Sequence, residues 1–142
     1  MEIGFIYAIG AAITWGLVYA IDQKILSNIT PISLLFINSI ITAIIMLPFL
    51  FFSNNSVKQF LALDRANLSL VIFEALLVML ANFLIFSGIK NLDASTASII
   101  EIAYPFFVVL FSYIIFRSTP NIYFFLGGAL VFLGSVVIIK LA

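Results

Sequence analysis

Short polar stretches divide the sequence into five apolar runs, over residues 3–21, 32–52, 68–89, 94–116 and 122–139. Each has about the 20 residues that a helix rising about 1.5 Å per residue needs to cross a hydrocarbon core of about 30 Å. In lipid, backbone polar groups must bond within the protein, which leaves helices or closed barrels as spanning structures. Barrel strands alternate apolar and polar positions over about ten residues, whereas these runs are continuous, so they read as helices. The chain is 65% hydrophobic and 8% charged, against about 25% charged in soluble domains. An all-α integral membrane protein follows, a single five-helix domain over residues 1–142, located in the cell membrane and multi-pass.

The same composition excludes several function classes. Six basic residues balance six acidic ones, so no net field draws in nucleic acid and no cluster forms a polybasic lipid site. With no cysteine and no histidine there is neither a disulfide nor a Cys/His metal site. No phosphate loop, nucleophile triad or metal-ligand spacing is present, so neither an enzyme nor a bound cofactor or metal is expected. Met1-Glu2-Ile3 lacks the basic region and cleavage site of a signal peptide, which makes the first run a retained span.

Between the runs lie turn and capping signals. Span one closes on Asp22-Gln23-Lys24, and Ser27-Asn28-Ile29-Thr30 leads to Pro31, which suits a helix start because its missing N–H costs nothing there. The polar segment from Ser53 to Asn67 is the longest and the one candidate for an ordered loop or a short interfacial helix. Asp93, after Lys90-Asn91-Leu92, is placed to cap span four, and Arg117-Ser118-Thr119-Pro120-Asn121 turns into span five. Short connections make sequence neighbours antiparallel.

Helix association in lipid depends on small residues and a few interhelical hydrogen bonds. Ala8, Ala12, Gly16 and Ala20 recur every four residues on span one, and span five carries Gly127, Gly128, Gly134 and Ser135. These serve helix packing within one protomer or an oligomer interface, with span five the stronger candidate for the latter.

Orientation follows the Lys/Arg bias of the loops. Lys58, Arg65 and Arg117 fall on the side of the N-terminus and Lys24, Lys90 and Lys140 on the other, three on each side. A chain without an orientation preference can insert both ways, and two opposed copies would make an antiparallel, ten-helix homodimer. That is the inverted-repeat plan of many secondary transporters, with the solute site between the repeats.

The order of features resembles the drug/metabolite transporter superfamily, in particular the EamA-type five-helix unit. The resemblance covers the whole chain and rests on several motifs. These are Thr14-Trp15-Gly16 with Lys24 soon after, Asn91-Leu92-Asp93-Ala94-Ser95 leading into span four, Tyr104-Pro105 within it, and Gly127-Gly128 and Gly134 in span five. It implies a transporter of small metabolites or drugs, commonly built from two such units fused in inverted orientation, so a single unit requires a partner. Where that family often shows Gly-Glu after span four, this chain has Phe116-Arg117.

Ionisable groups inside a span mark functional sites by default. Glu101 lies about 10 Å into span four and Glu74 about 9 Å into span three. Pro105 leaves the carbonyl of residue 101 without its helical partner, which predicts a kink there. Ser98, Glu101 and Tyr104, spaced i, i+3, place two hydroxyls and a carboxyl on one face suited to an aqueous cavity. Glu101 either exchanges a proton or pairs with a cationic solute, or else it is an anion near a helix start that reaches water. Glu74 has the same alternatives, and an antiparallel dimer would bring Glu74 of one copy to the face carrying Glu101 of the other. Trp15, Tyr19 and Asp22 form a stripe on span one that presents aromatic faces to a flat or cationic solute, or in which Tyr19 and Asp22 are interfacial anchors. Asn38 on span two and Asn82 on span three line the same cavity or bond between helices.

The leading expectation is therefore a secondary transporter of a small metabolite or drug-like solute, working by alternating access as a homodimer. A non-transporting membrane interaction protein and an ion-conducting pore are the rival readings.

Overall fold

The structure is a computed structural model and describes residues 2–53, 55–117 and 121–141. Among these residues all regular structure is helical: α1 Glu2–Leu26, α2 Pro31–Phe52, α3 Ser56–Leu61, α4 Arg65–Asn91, α5 Ala94–Glu101, α6 Tyr104–Phe116 and α7 Ile122–Leu141. Five stretches are long and apolar enough to cross a membrane, with α5 and α6 together making the fourth. The five expected spans are thus present. Met1, Asn54 and the turn residues Ser118, Thr119 and Pro120 lie outside the described residues.

Local chemistry accounts for where the helices start. Pro31 opens α2, and the Thr30 hydroxyl accepts the Ser33 N–H at 3.2 Å as its cap. The Asp64 carboxyl accepts the Asn67 N–H at 2.9 Å, so α4 begins at Arg65, a turn earlier than the apolar run. Two readings of helix ends are corrected. α1 does not stop at residue 21 but runs through Asp22-Gln23-Lys24 to Leu26, because nothing in that triplet breaks a helix and the next turn signals come later. Span four is two helices rather than one, interrupted at Ile102 and Ala103. Pro105 brings no N–H to the Glu101 carbonyl. The chain tightens instead, the Ala103 N–H reaching the Ile100 carbonyl at 3.3 Å and the Phe106 N–H the Ala103 carbonyl at 3.1 Å.

The chain forms two compact units, Ile25–Ser87 on one hand and Met1–Lys24 with Gly88–Ala142 on the other. In the first, α3 packs against α2 after a loop closed by a 2.6 Å contact between the Ser53 and Ser56 hydroxyls. This short helix falls in the segment expected to hold an ordered loop or a short interfacial helix. In the second unit, α7 packs against both α5 and α6. Gly88, in the last turn of α4, sits where an added Cβ would lie 3.6 Å from the Ala97 Cβ, a close small-residue approach. The Ser135 hydroxyl of α7 donates to the Ile99 carbonyl of α5 at 3.1 Å and to its own Val131 carbonyl at 3.0 Å.

Few large side chains are buried. Ile89, Ala94 and Ala97 are covered in the second unit and Leu26, Leu34 and Phe86 in the first, while Tyr7 and Phe52 are 75% and 87% exposed. An apolar surface this extensive is the mark of a chain whose solvent is lipid.

Candidate functional site

Two polar side chains of α1, Gln23 and Tyr19, reach across to α5. α1 runs toward its end at Leu26 and α5 starts at Ala94, so the antiparallel pair brings residues 19–23 to residues 94–101. At the start of α5 the Ala94 N–H donates to the Gln23 Oε1 at 2.8 Å. That N–H is one of the donors a helix start leaves without an intrahelical partner. Asp93 completes the cap, its carboxyl accepting the Thr96 N–H at 2.8 Å and the Thr96 hydroxyl at 2.7 Å. Hydrogen bonds from the Thr96 N–H and hydroxyl hold the Asp93 carboxyl below the usual carboxylate range. Its capping is therefore present above the ordinary aspartate pKa of about 3.9 and is lost only as the pH falls through the lowered value.

At the other end of α5 the Tyr19 hydroxyl donates to the Glu101 Oε2 at 2.6 Å. Glu101 is the last residue of α5, next to the break, so its carboxyl sits at the carbonyl end of a half-helix. Such ends carry partial negative charge and, in transporters with discontinuous spans, attract cations. The Trp15 ring lies 5.5 Å from that of Tyr19, tilted at 50°, and Tyr104 opens α6 just across the break, 60% exposed. Trp15, Tyr19, Glu101 and Tyr104 thus form a half-exposed group of two phenols, an indole and a carboxyl. It can offer hydrogen bonds, a negative charge and aromatic faces to a solute.

Other expected residues are placed elsewhere or used locally. Ser98 shares a face of α5 with Glu101, but its hydroxyl donates to the Ser95 carbonyl at 2.9 Å. Tyr104 does not continue that face as a third i, i+3 step, because the break at Ile102 and Ala103 intervenes. In the unit Ile25–Ser87, Asn38 and Glu74 are exposed on α2 and α4, and the Asn82 amide donates to the Val78 carbonyl of its own helix at 3.0 Å. Pro105 stands in the first turn of α6.

Two side chains with a part in this region carry a weak sequence signal. Gln23 reads as a residue beyond the span, yet it caps α5. Asp22, read as part of an aromatic stripe or an anchor, is 4% exposed, and its Oδ2 is enclosed without a hydrogen-bond partner. Their signal was the polar triplet itself, once α1 is seen to continue past it.

A second concavity lies between α6 and α7, about 650 Å³, walled by Pro105, Phe106, Phe107 and Phe132 and floored by Gly127 and Gly128. A Cβ on Gly128 would stand 3.9 Å from the Phe106 ring, and one on Gly127 or Gly134 would meet nothing within 4 Å. The lining is almost wholly apolar, so it is a surface for lipid or protein rather than for a polar solute.

Residues 2–140 match the EamA-like transporter family. The chain is 29% identical over 147 residues to a protein of Methanothermobacter thermautotrophicus (strain Delta H) named an uncharacterized transporter, an overlap covering 94% of this chain and 42% of that relative. The chain therefore spans less than half the length of the curated relative it matches. No solved structure matches it. With five apolar helices and a match that takes in nearly every residue, this multi-pass membrane protein belongs to the EamA-like transporter family.

Proposed function

We propose that the chain is one half of a secondary transporter for a small metabolite or drug-like solute, completed by an opposed second copy and working by alternating access. The observation that carries this reading is the Tyr19–Glu101 hydrogen bond at the interruption of span four. A carboxyl inside a span is costly to keep unless it serves a solute or ion path, and broken spans are where transporters locate such sites. In this reading Glu101, Tyr19, Trp15 and Tyr104 receive the solute, with Ser98 beside Glu101 on α5. The 1–142 unit acts as a single domain, and α6 and α7 offer the Phe-walled, Gly-floored groove between them to the partner copy. The equal loop charges support two insertion orientations, and the greater length of the curated relative leaves room for a second unit in one chain.

The test is uptake by vesicles holding the purified protein, against a panel of amino acids, organic cations and other small metabolites. Accumulation driven by an ion gradient, lost in Glu101→Gln, is the expected result. Vesicles that stay inert to every solute while the protein captures a membrane partner would reject transport in favour of an interaction role. Reporters at the C-terminus test the opposed pairing separately: signal from both sides of the membrane is expected, and signal from one side alone excludes it.

A further inference from the structure

Asp22 differs from the other acids whose side chains the structure pairs. The carboxyl of Asp64 has the Asn67 N–H, that of Asp93 has Thr96, and that of Glu101 has the Tyr19 hydroxyl. Asp22 is more deeply buried than any of these, at 4% exposed, and its enclosed Oδ2 has no donor. Removing a carboxylate from water without supplying a partner is among the most unfavourable arrangements a fold can hold. Its place on α1 gives that oxygen a use. It follows Tyr19 by three residues, on the same helix face, and Tyr19 is the residue that holds Glu101.

We propose that Asp22 is the proton-binding group of this protein, taking up and releasing the ion that drives the carrier. This rests on the transport reading for the purpose of the proton, though not for its binding. A proton suits the position better than a metal ion. It needs one oxygen and no coordination shell, and among the described residues no three acids, cysteines or histidines gather in a metal-binding group. Asp22 acts on the Tyr19 phenol of its own helix, which also feels Glu101 at the end of α5 and Tyr104 at the start of α6. None of them is basic. The basic residues at this end of the unit, Lys24 on α1, Lys90 on α4 and Lys140 on α7, have exposed side chains. Loss of the proton from Asp22 therefore adds a negative charge beside the Tyr19–Glu101 bond with no buried cation among these groups to offset it. The solute-facing carboxyl senses that charge through the one phenol between them.

Infrared difference spectra of the purified protein in lipid vesicles, recorded with and without acidification and with no solute present, test the assignment. The wild type should show, on acidification, the carbonyl stretch of a protonated carboxyl that moves to lower frequency in deuterated buffer. Asp22→Asn should lose that band, while Glu74→Gln should keep it. Asp22→Glu should move it to a new frequency, which keeps the assignment testable if the asparagine variant does not fold. A band that persists unchanged in Asp22→Asn or Asp22→Glu, or one that sodium ions remove at constant pH, would overturn the proposal. A protein that binds this proton yet moves no solute would defeat the transport reading alone.

Discussion

The two halves of span four are built on opposite principles although one apolar run encodes both. α5 is two turns long, buries Ala94 and Ala97, and is bonded at its start by Gln23, near its end by Ser135 and at its last residue by Tyr19. α6 is longer, buries none of its described residues and presents Phe106, Phe107 and Phe111 outward. The first half takes its position from specific polar bonds, the second from nonspecific apolar contact. The polar contacts that fix geometry therefore belong to α5, and the apolar surface belongs to α6.

That contrast can be broken by substitution. Glu101→Gln should have the largest effect, a loss of more than about tenfold in solute uptake with the protein still inserted, because a hydrogen bond to an ionisable group is worth about 1.5–3 kcal/mol. Tyr19→Phe removes the donor of that same bond and keeps the ring against Trp15; about tenfold slower uptake is expected, from the roughly 1.5 kcal/mol at the lower end of the range for a hydrogen bond to a charged group. Unchanged uptake in both would detach α5 from function. On the other half, Gly127→Trp adds bulk where the chain itself offers no obstacle, so helix content should hold while cross-linking between copies falls severalfold in vesicles. If cross-linking is unaffected, the groove between α6 and α7 faces lipid alone.

Two smaller effects refine the comparison through stability. Arg117 ends α6 with φ at 51°, in the left-handed region, which disfavours side chains with a Cβ by about 1–2 kcal/mol. Arg117→Gly should raise the unfolding midpoint in detergent by an amount corresponding to about 1 kcal/mol. Ser135→Ala should lower it by about 0.6 kcal/mol, the average for a side-chain hydrogen bond between membrane helices. An Arg117→Gly protein that is less stable than wild type would mean that α6 relies on the arginine side chain more than on its backbone.

Those features that local chemistry determines were readable from the sequence. Five spans follow from five apolar runs, the α2 start from Thr30-Pro31 and the α5 cap from Asp93, whereas the sequence reads span four as one helix kinked at Pro105 and not as two helices. The face each helix turns inward was not readable, because helices apolar on every side carry no periodic stripe to mark it. Tyr19 and Glu101 are 82 residues apart in sequence, and no pattern in the intervening chain announces their bond. Asp22 and Gln23 were read as the end of a span because polarity usually marks the water boundary. Here the helix continues through that polarity to Leu26, and Gln23 meets the start of α5.

The three bonds on α5 also have a mechanical consequence. Smooth apolar rods in lipid slide and rotate against one another at little cost, so nothing in their grease fixes a register. Gln23 and Tyr19, one turn apart on α1, fasten to the first and last residues of α5, while Ser135 fastens α7 to Ile99 near its end. A shift of α1 along α5 by a single residue would undo both of its fastenings at once. Of the two halves of this span, α5 is therefore the one whose register is fixed by side-chain bonds, while α6 is placed by apolar packing against α7.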